Sequence, residues 1–139
     1  MPPTHQTDVL CIDGNLIPDS VNAPPSLFGQ HYLLGEGLTL GLASMWSPNV
    51  YDHVWDTFSI GNGSAYHAPR SDDPFHLQID SNGYTGVMSA DAFGIVVTMT
   101  VLRFLVNEKR SLKASIHYNA LRSYAGTHPE AQEIFQALD

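Results

Sequence analysis

The chain is short of basic residues and of cysteine. Six Lys and Arg stand against 14 Asp and Glu, a formal net charge of −8 over 139 residues. Only Lys109 and Arg110 are adjacent cations. A phosphate backbone is held by clustered Lys and Arg that release its counterions, so direct nucleic-acid binding is not expected. The single cysteine, Cys11, excludes an internal disulfide framework and suits a reducing compartment, which makes the cytoplasm the expected location. No basic segment followed by an apolar one opens the chain, so no signal peptide is expected. The longest apolar run, residues 92–106, falls short of the ~20 residues of a spanning helix and contains Arg103, so no membrane segment is expected.

Local catalytic patterns are lacking too. Seven histidines are present, yet no HExxH, HxH or CxxC spacing brings ligands together. No serine lies in a GxSxG elbow. Gly61-Asn62-Gly63 is too short for a phosphate loop and has no GK[ST] after it, so it reads as a hairpin turn. The one arrangement left for a metal-dependent hydrolase is His67 with His76 and Asp80, meeting across adjacent strands. The competing reading is a solvated polar sheet face. No cofactor is called for. The acidity raises charge mimicry of DNA, but the carboxylates are scattered as singles apart from Asp72-Asp73, far from the phosphate spacing of a duplex.

What is present suffices for one core. The composition is 43% hydrophobic and 14% charged, which predicts a single domain with a largely neutral, polar surface, and the segments below give it an α+β class. Residues 1–25 hold five of the nine prolines and read as a loosely ordered arm, with an edge strand at residues 9–12 as the alternative. Residues 26–139 form the domain. Leu34, Leu38, Leu42, Met45 and Trp46 make a helical stripe that Pro48 ends. Residues 53–60 alternate, with Val54, Phe58 and Ile60 on one face and Trp55 and Thr57 on the other. The Gly61–Gly63 turn returns the chain through residues 65–68. Phe75, Leu77 and Ile79 alternate with His76, Gln78 and Asp80, and Asn82-Gly83 turns into residues 84–87. These segments predict an antiparallel meander of three or four strands.

About four helices pack with it. Ser89 caps the second, Asp91 complements its positive end, and apolar residues cover nearly its whole circumference to about Val106. Leu112, Ile116, Leu121 and Tyr124 mark a third helix, which Gly126 stops in a left-handed conformation. Thr127 and Glu130 read as a capping box. Ala131, Ile134, Phe135 and Leu138 then give the last helix one docking face.

The order of these features resembles the ArdB/KlcA-type antirestriction proteins of plasmids, phages and genomic islands. Phe28, Gly29 and Tyr32 match FG-x-x-Y. Gly35-Glu36 precedes a helix, and Tyr51 and Trp55 lead to the Asn62-Gly63 turn. Tyr66 and Ala68-Pro69 follow. Residues 82–95 match NG-[YF]-x-G-x-x-SADA-x-GI, residues 128–131 are HPEA, and residues 134–139 match IF-x-x-[LI]D. The resemblance implies a compact α+β fold and relief of DNA cleavage by type I restriction–modification systems, with methylation left largely intact. It implies a factor distinct from the strongly acidic DNA mimics. It carries over neither catalytic residues nor a cofactor, and its partner is expected to be a protein of the restriction or DNA-translocation machinery. Candidate contacts are the aromatic residues Tyr51, Trp55 and Tyr66, with core packing as the alternative for Trp55, and the polar residues Asp72, Asp73, His76 and Asp80.

Overall fold

A computed structural model describes the backbone of residues 9–10 and all of residues 27–48, 50, 53–60 and 63–139. In chain order the elements are β1 (Val9–Leu10), a 3-10 turn (Gly29–His31), α1 (Tyr32–Trp46), β2 (Trp55–Ser59), β3 (Ala65–Pro69), β4 (Phe75–Ile79), β5 (Tyr84–Met88), α2 (Ala90–Lys109), α3 (Leu112–Ala125) and α4 (Ala131–Leu138). The α+β class and the four helices are as the sequence predicts.

Both predicted hairpins form, but they belong to two sheets. One is β1-β2-β3 and the other β4-β5. The edge-strand alternative for the N-terminal patch is realised at Val9–Leu10, which pair with Phe58 and Thr57 of β2. The remaining residues of the 1–25 arm lie outside the described residues, as do Gly61 and Asn62 of the first turn. The Asn82-Gly83 turn forms as predicted. Gly83 takes φ +76, and Asn82 Oδ1 accepts the Tyr84 N–H at 3.0 Å.

Helix α2 is the element on which the others pack: β3, α3, α4 and α1 all lie against it. Phe93, Ile95, Val96, Val97, Met99, Val101, Leu102 and Leu105 are fully buried, each worth roughly 1.5–3 kcal/mol when taken from water. Ser89 Oγ accepts the Ala92 N–H at 3.1 Å and so caps the start as expected. The helix ends at Lys109, three residues later than Val106, and is closed by Arg110, a left-handed residue (φ 53) whose N–H reaches the Leu105 carbonyl. By length and composition α2 would suit a membrane span, yet 67% of its most apolar stretch is buried inside the protein, the condition of a core helix.

The faces of α1 and α3 differ from the sequence expectation. In α1 the buried positions are Gly35, Thr39, Ala43 and Trp46, one residue on from the predicted leucine stripe. Leu38 and Leu42 are only partly buried, and Met45 is 68% exposed. The Phe28 ring lies so close over Gly35 that any side chain there would strike it. Small residues line this contact because the backbone approaches closely, and the leucines flank it. In α3 the buried residues are Ala114, Leu121 and Ala125, while Leu112 and Ile116 face water. Gly126 is right-handed (φ −65), not left-handed. Helix α4 buries Ile134, Ala137 and Leu138 with Phe135 partly covered, the single face expected of it.

Gly94 sets the distance between α2 and β3. A Cβ added there would overlap Ala68 Cβ and the His67 carbonyl oxygen. One turn on, Thr98 Oγ1 accepts the His67 N–H at 3.1 Å. Gly94→Ala should therefore cost about 1–3 kcal/mol or more by overpacking against backbone. Gly37→Ala, in α1 with nothing within 4 Å of the added carbon, should gain about 0.5–1 kcal/mol. Urea denaturation of the two variants checks the opposite signs.

Candidate functional site

The most connected polar cluster joins two segments singled out in the sequence, residues 89–92 at the start of α2 and residues 128–131 before α4. Asp91 Oδ1 accepts the phenolic proton of Tyr66 on β3 at 2.5 Å, and Asp91 Oδ2 lies 2.7 Å from His128 Nε2. His128 Nδ1 accepts the Glu130 N–H at 2.9 Å. That bond leaves Nε2 as the nitrogen that donates to Asp91. Glu130 takes both donors of Ser89, the N–H at 2.9 Å and the hydroxyl at 2.5 Å. Tyr124 stacks on Tyr66 at 6.0 Å and meets the His128 ring edge-on at 6.3 Å. Burial and the Asp91 carboxylate drive the Tyr66 phenol far above its ordinary range, and the same two causes push Tyr124 up to about 12.

Both His128 nitrogens are engaged, so neither is left to take a proton from a nucleophile. Ser89 Oγ is likewise tied into the cap of α2. The cluster fastens elements together. Its wiring also corrects the capping-box reading. Glu130 is itself the residue preceding α4 and its carboxylate braces Ser89, while Thr127 Oγ1 donates to the Tyr124 carbonyl at the end of α3. Tyr66→Phe and Asp91→Ala should each cost about 1–3 kcal/mol. The double variant should cost less than their sum by about 0.5–3 kcal/mol, as a thermal-denaturation cycle would read.

The candidate contacts divide by burial. Tyr51 lies outside the described residues. Trp55 is 4% exposed, with its ring 6.4 Å from Phe93, so the core alternative holds for it. Tyr66 is fully buried and committed to Asp91. Tyr66 is corrected from a surface contact to a core residue and Trp55 takes its core reading, because β2 and β3 turn these aromatics toward α2 and α3. Asp72, Asp73, His76 and Asp80 are exposed. In β4, Phe75, Leu77 and Ile79 point inward and His76 and Gln78 outward. Thr85 and Val87 of β5 stand opposite Gln78 and His76 in register. Val87 is 45% exposed and was missed in the sequence. The signal for it was an apolar residue on the outward side of the alternation.

The hydrolase arrangement does not assemble. His67 belongs to β3, is 7% exposed and bonds Thr57 Oγ1 through Nδ1 at 2.8 Å. His76 and Asp80 lie on the solvent side of the β4-β5 hairpin, in the other sheet. Among the described residues no group of three His, Cys, Asp or Glu is placed to hold a metal.

Burial lowers His67 to about 4. As pH falls below about 6.5, the unfolded chain binds a proton there that the folded state does not, until about 4. The stability this neutral histidine contributes is present above that window and lost through it, by roughly 3 kcal/mol at ~1.36 kcal/mol per unit. Urea midpoints measured from pH 8 to 4 should fall more steeply for the native chain than for His67→Gln.

The antirestriction protein family matches residues 49–139. The chain belongs to this family. The antirestriction protein KlcA of Escherichia coli is 33% identical over 128 residues, covering 87% of this chain and 88% of that protein. The putative antirestriction protein YubI of Escherichia coli strain K12 is 29% identical, covering 87% and 90%. A solved structure superposes with a TM-score of 0.74 at 28% identity, covering 99% of this chain and 100% of the other. It is described as showing a novel fold for the KlcA and ArdB proteins, and antirestriction activity against type I DNA restriction systems in vivo but not in vitro.

Proposed function

We propose that this protein relieves DNA cleavage by type I restriction–modification systems, acting in the cytoplasm by binding a protein of the restriction or DNA-translocation machinery and not by catalysis. The observation that carries this reading is the full-length likeness to the KlcA and ArdB structure. An activity seen in cells and absent in vitro is what a factor needing a further cellular partner would display. The hydrogen bonds around Asp91 and Ser89 support a binding role, since they cap α2 and tie its start to β3 and to the segment before α4.

The contact surface is the outer face of the β4-β5 hairpin with the loop before it: Asp72, Asp73, His76, Asp80 and Val87. These side chains are exposed, and the fold does not depend on burying them. DNA mimicry is less well supported. Asp56, Asp91, Glu130 and Glu133 are held by Arg70, by Tyr66 with His128, by Ser89 and by Tyr84 respectively, which withdraws them from any phosphate-like array.

The test is the plating of unmodified phage on cells with an active type I system. The native chain should raise plating. His76→Ala with Val87→Ser should reduce that protection at least tenfold while leaving the thermal midpoint within a few degrees, as expected of exposed positions. Mimicry instead predicts loss only when Asp72, Asp73 and Asp80 are neutralised. Absence of protection by the native chain would sink the proposal outright.

A further inference from the structure

Three of the six basic residues are used inside the fold. Arg70 forms a two-pronged pair with Asp56, its Nη2 2.7 Å from Oδ1 and its Nε 3.1 Å from Oδ2. Arg103 Nη1 reaches the Leu138 carbonyl at 3.5 Å, and the Arg122 guanidinium lies 5.3 Å from the Phe135 ring centre. The other three are Lys109, Arg110 and Lys113. All three line a single cavity of about 340 Å³ between the 3-10 turn and the α2–α3 connection, with Gln30, His31 and Ser111. None of the three forms an ion pair with a described residue. In a chain of net charge −8, every cation not committed internally faces the same hollow.

All three side chains are exposed around this hollow. Lys113 runs over Gly29, where an added Cβ would come within 2.9 Å of its Cδ. Arg110 occupies the left-handed region at φ 53, where glycine would be the unstrained choice. Glu108, the acid nearest in sequence, does not line the cavity. The first turn of α3 also opens here behind its Ser111 cap, adding the positive end of a helix to the side-chain charges.

We propose that this cavity binds a compact phosphorylated ligand through its di- or triphosphate group. Three cations around so small a volume match a compact, multiply charged anion. The net negative charge of the rest of the chain opposes an extended polyanion such as duplex DNA. The proposal does not rest on the partner-binding reading, because it uses neither the β4-β5 hairpin nor the phage assay.

Calorimetry on the full chain at low salt tests it, with inorganic pyrophosphate, ATP, adenosine and a short DNA duplex as probes. Pyrophosphate and ATP should each bind at one site and adenosine should not. Tighter binding of ATP would identify a nucleotide, and equal binding the phosphates alone. Lys109→Gln with Lys113→Gln should weaken pyrophosphate binding about tenfold or more, while Arg122→Gln should not. Arg110→Gly should weaken binding and raise the thermal midpoint, so its loss of affinity cannot be ascribed to unfolding. No binding of either phosphate, equal loss in Arg122→Gln, or tighter binding of the duplex than of pyrophosphate would overturn the proposal.

Discussion

The Asp91 carboxylate is the point on which the arrangement of elements depends. Its two oxygens join β3, through Tyr66, to the α3–α4 connection, through His128, and the carboxylate itself stands in the first turn of α2. Each partner explains the others. Tyr66 is fully buried, so its hydroxyl needs an acceptor inside the protein. His128 faces Asp91 through Nε2 while its other nitrogen accepts the Glu130 N–H, and that same residue's carboxylate holds Ser89, the cap of α2. A helix whose sides are apolar almost all round has no register of its own. The polar bonds at its start supply one.

Farther along α2 the constraint is steric. Gly94 lets the helix backbone approach β3, and Thr98 exchanges hydrogen bonds with His67 N–H and C=O across the same contact. At the other end of the sequence, Asn82 Nδ2 donates to the Ala137 carbonyl and Tyr84 OH to Glu133, so the β4-β5 turn holds α4. The polar residues of the SADA and HPEA segments are thus mutual partners in space, and Asn82 of the NG turn bonds instead to Ala137 in the closing segment. Their order along the chain identifies the family, while the surfaces available for binding lie elsewhere.

Elements with a strong local pattern were legible in the sequence: α2 from its continuous apolar residues, both hairpins from glycine turns, α4 from its i, i+3, i+4 spacing. What escaped has a common cause. The contacts of α1 and α3 use Gly35, Thr39, Ala43, Ala114 and Ala125, residues chosen for small size, which a search for hydrophobic stripes passes over. Glu130 reads locally as a capping-box acid, but its partner Ser89 is 41 positions away. Strand alternation placed Trp55 opposite Phe58 without saying which side is inside. Of the candidate contacts, the hairpin residues kept their exposure because charge and the NG turn had already oriented that strand pair. Trp55 and Tyr66 did not.

The same accounting of partners separates two surfaces of opposite sign. On the acidic side, internal bonds engage Asp56, Asp91, Glu130 and Glu133, and the exposed Asp72, Asp73 and Asp80 share one hairpin and its preceding loop. On the basic side, half the cations are committed inside and the rest surround the α2–α3 cavity. The net charge of −8 taken alone suggests a surface that repels anions. Folding removes charges selectively, and a strongly negative chain can then still present a locally positive hollow, because potential at short range follows the nearest charges and is screened beyond about 10 Å at 0.1 M salt. The two proposed contacts therefore fall on separate elements of opposite sign, one on the hairpin and one at the helix connection.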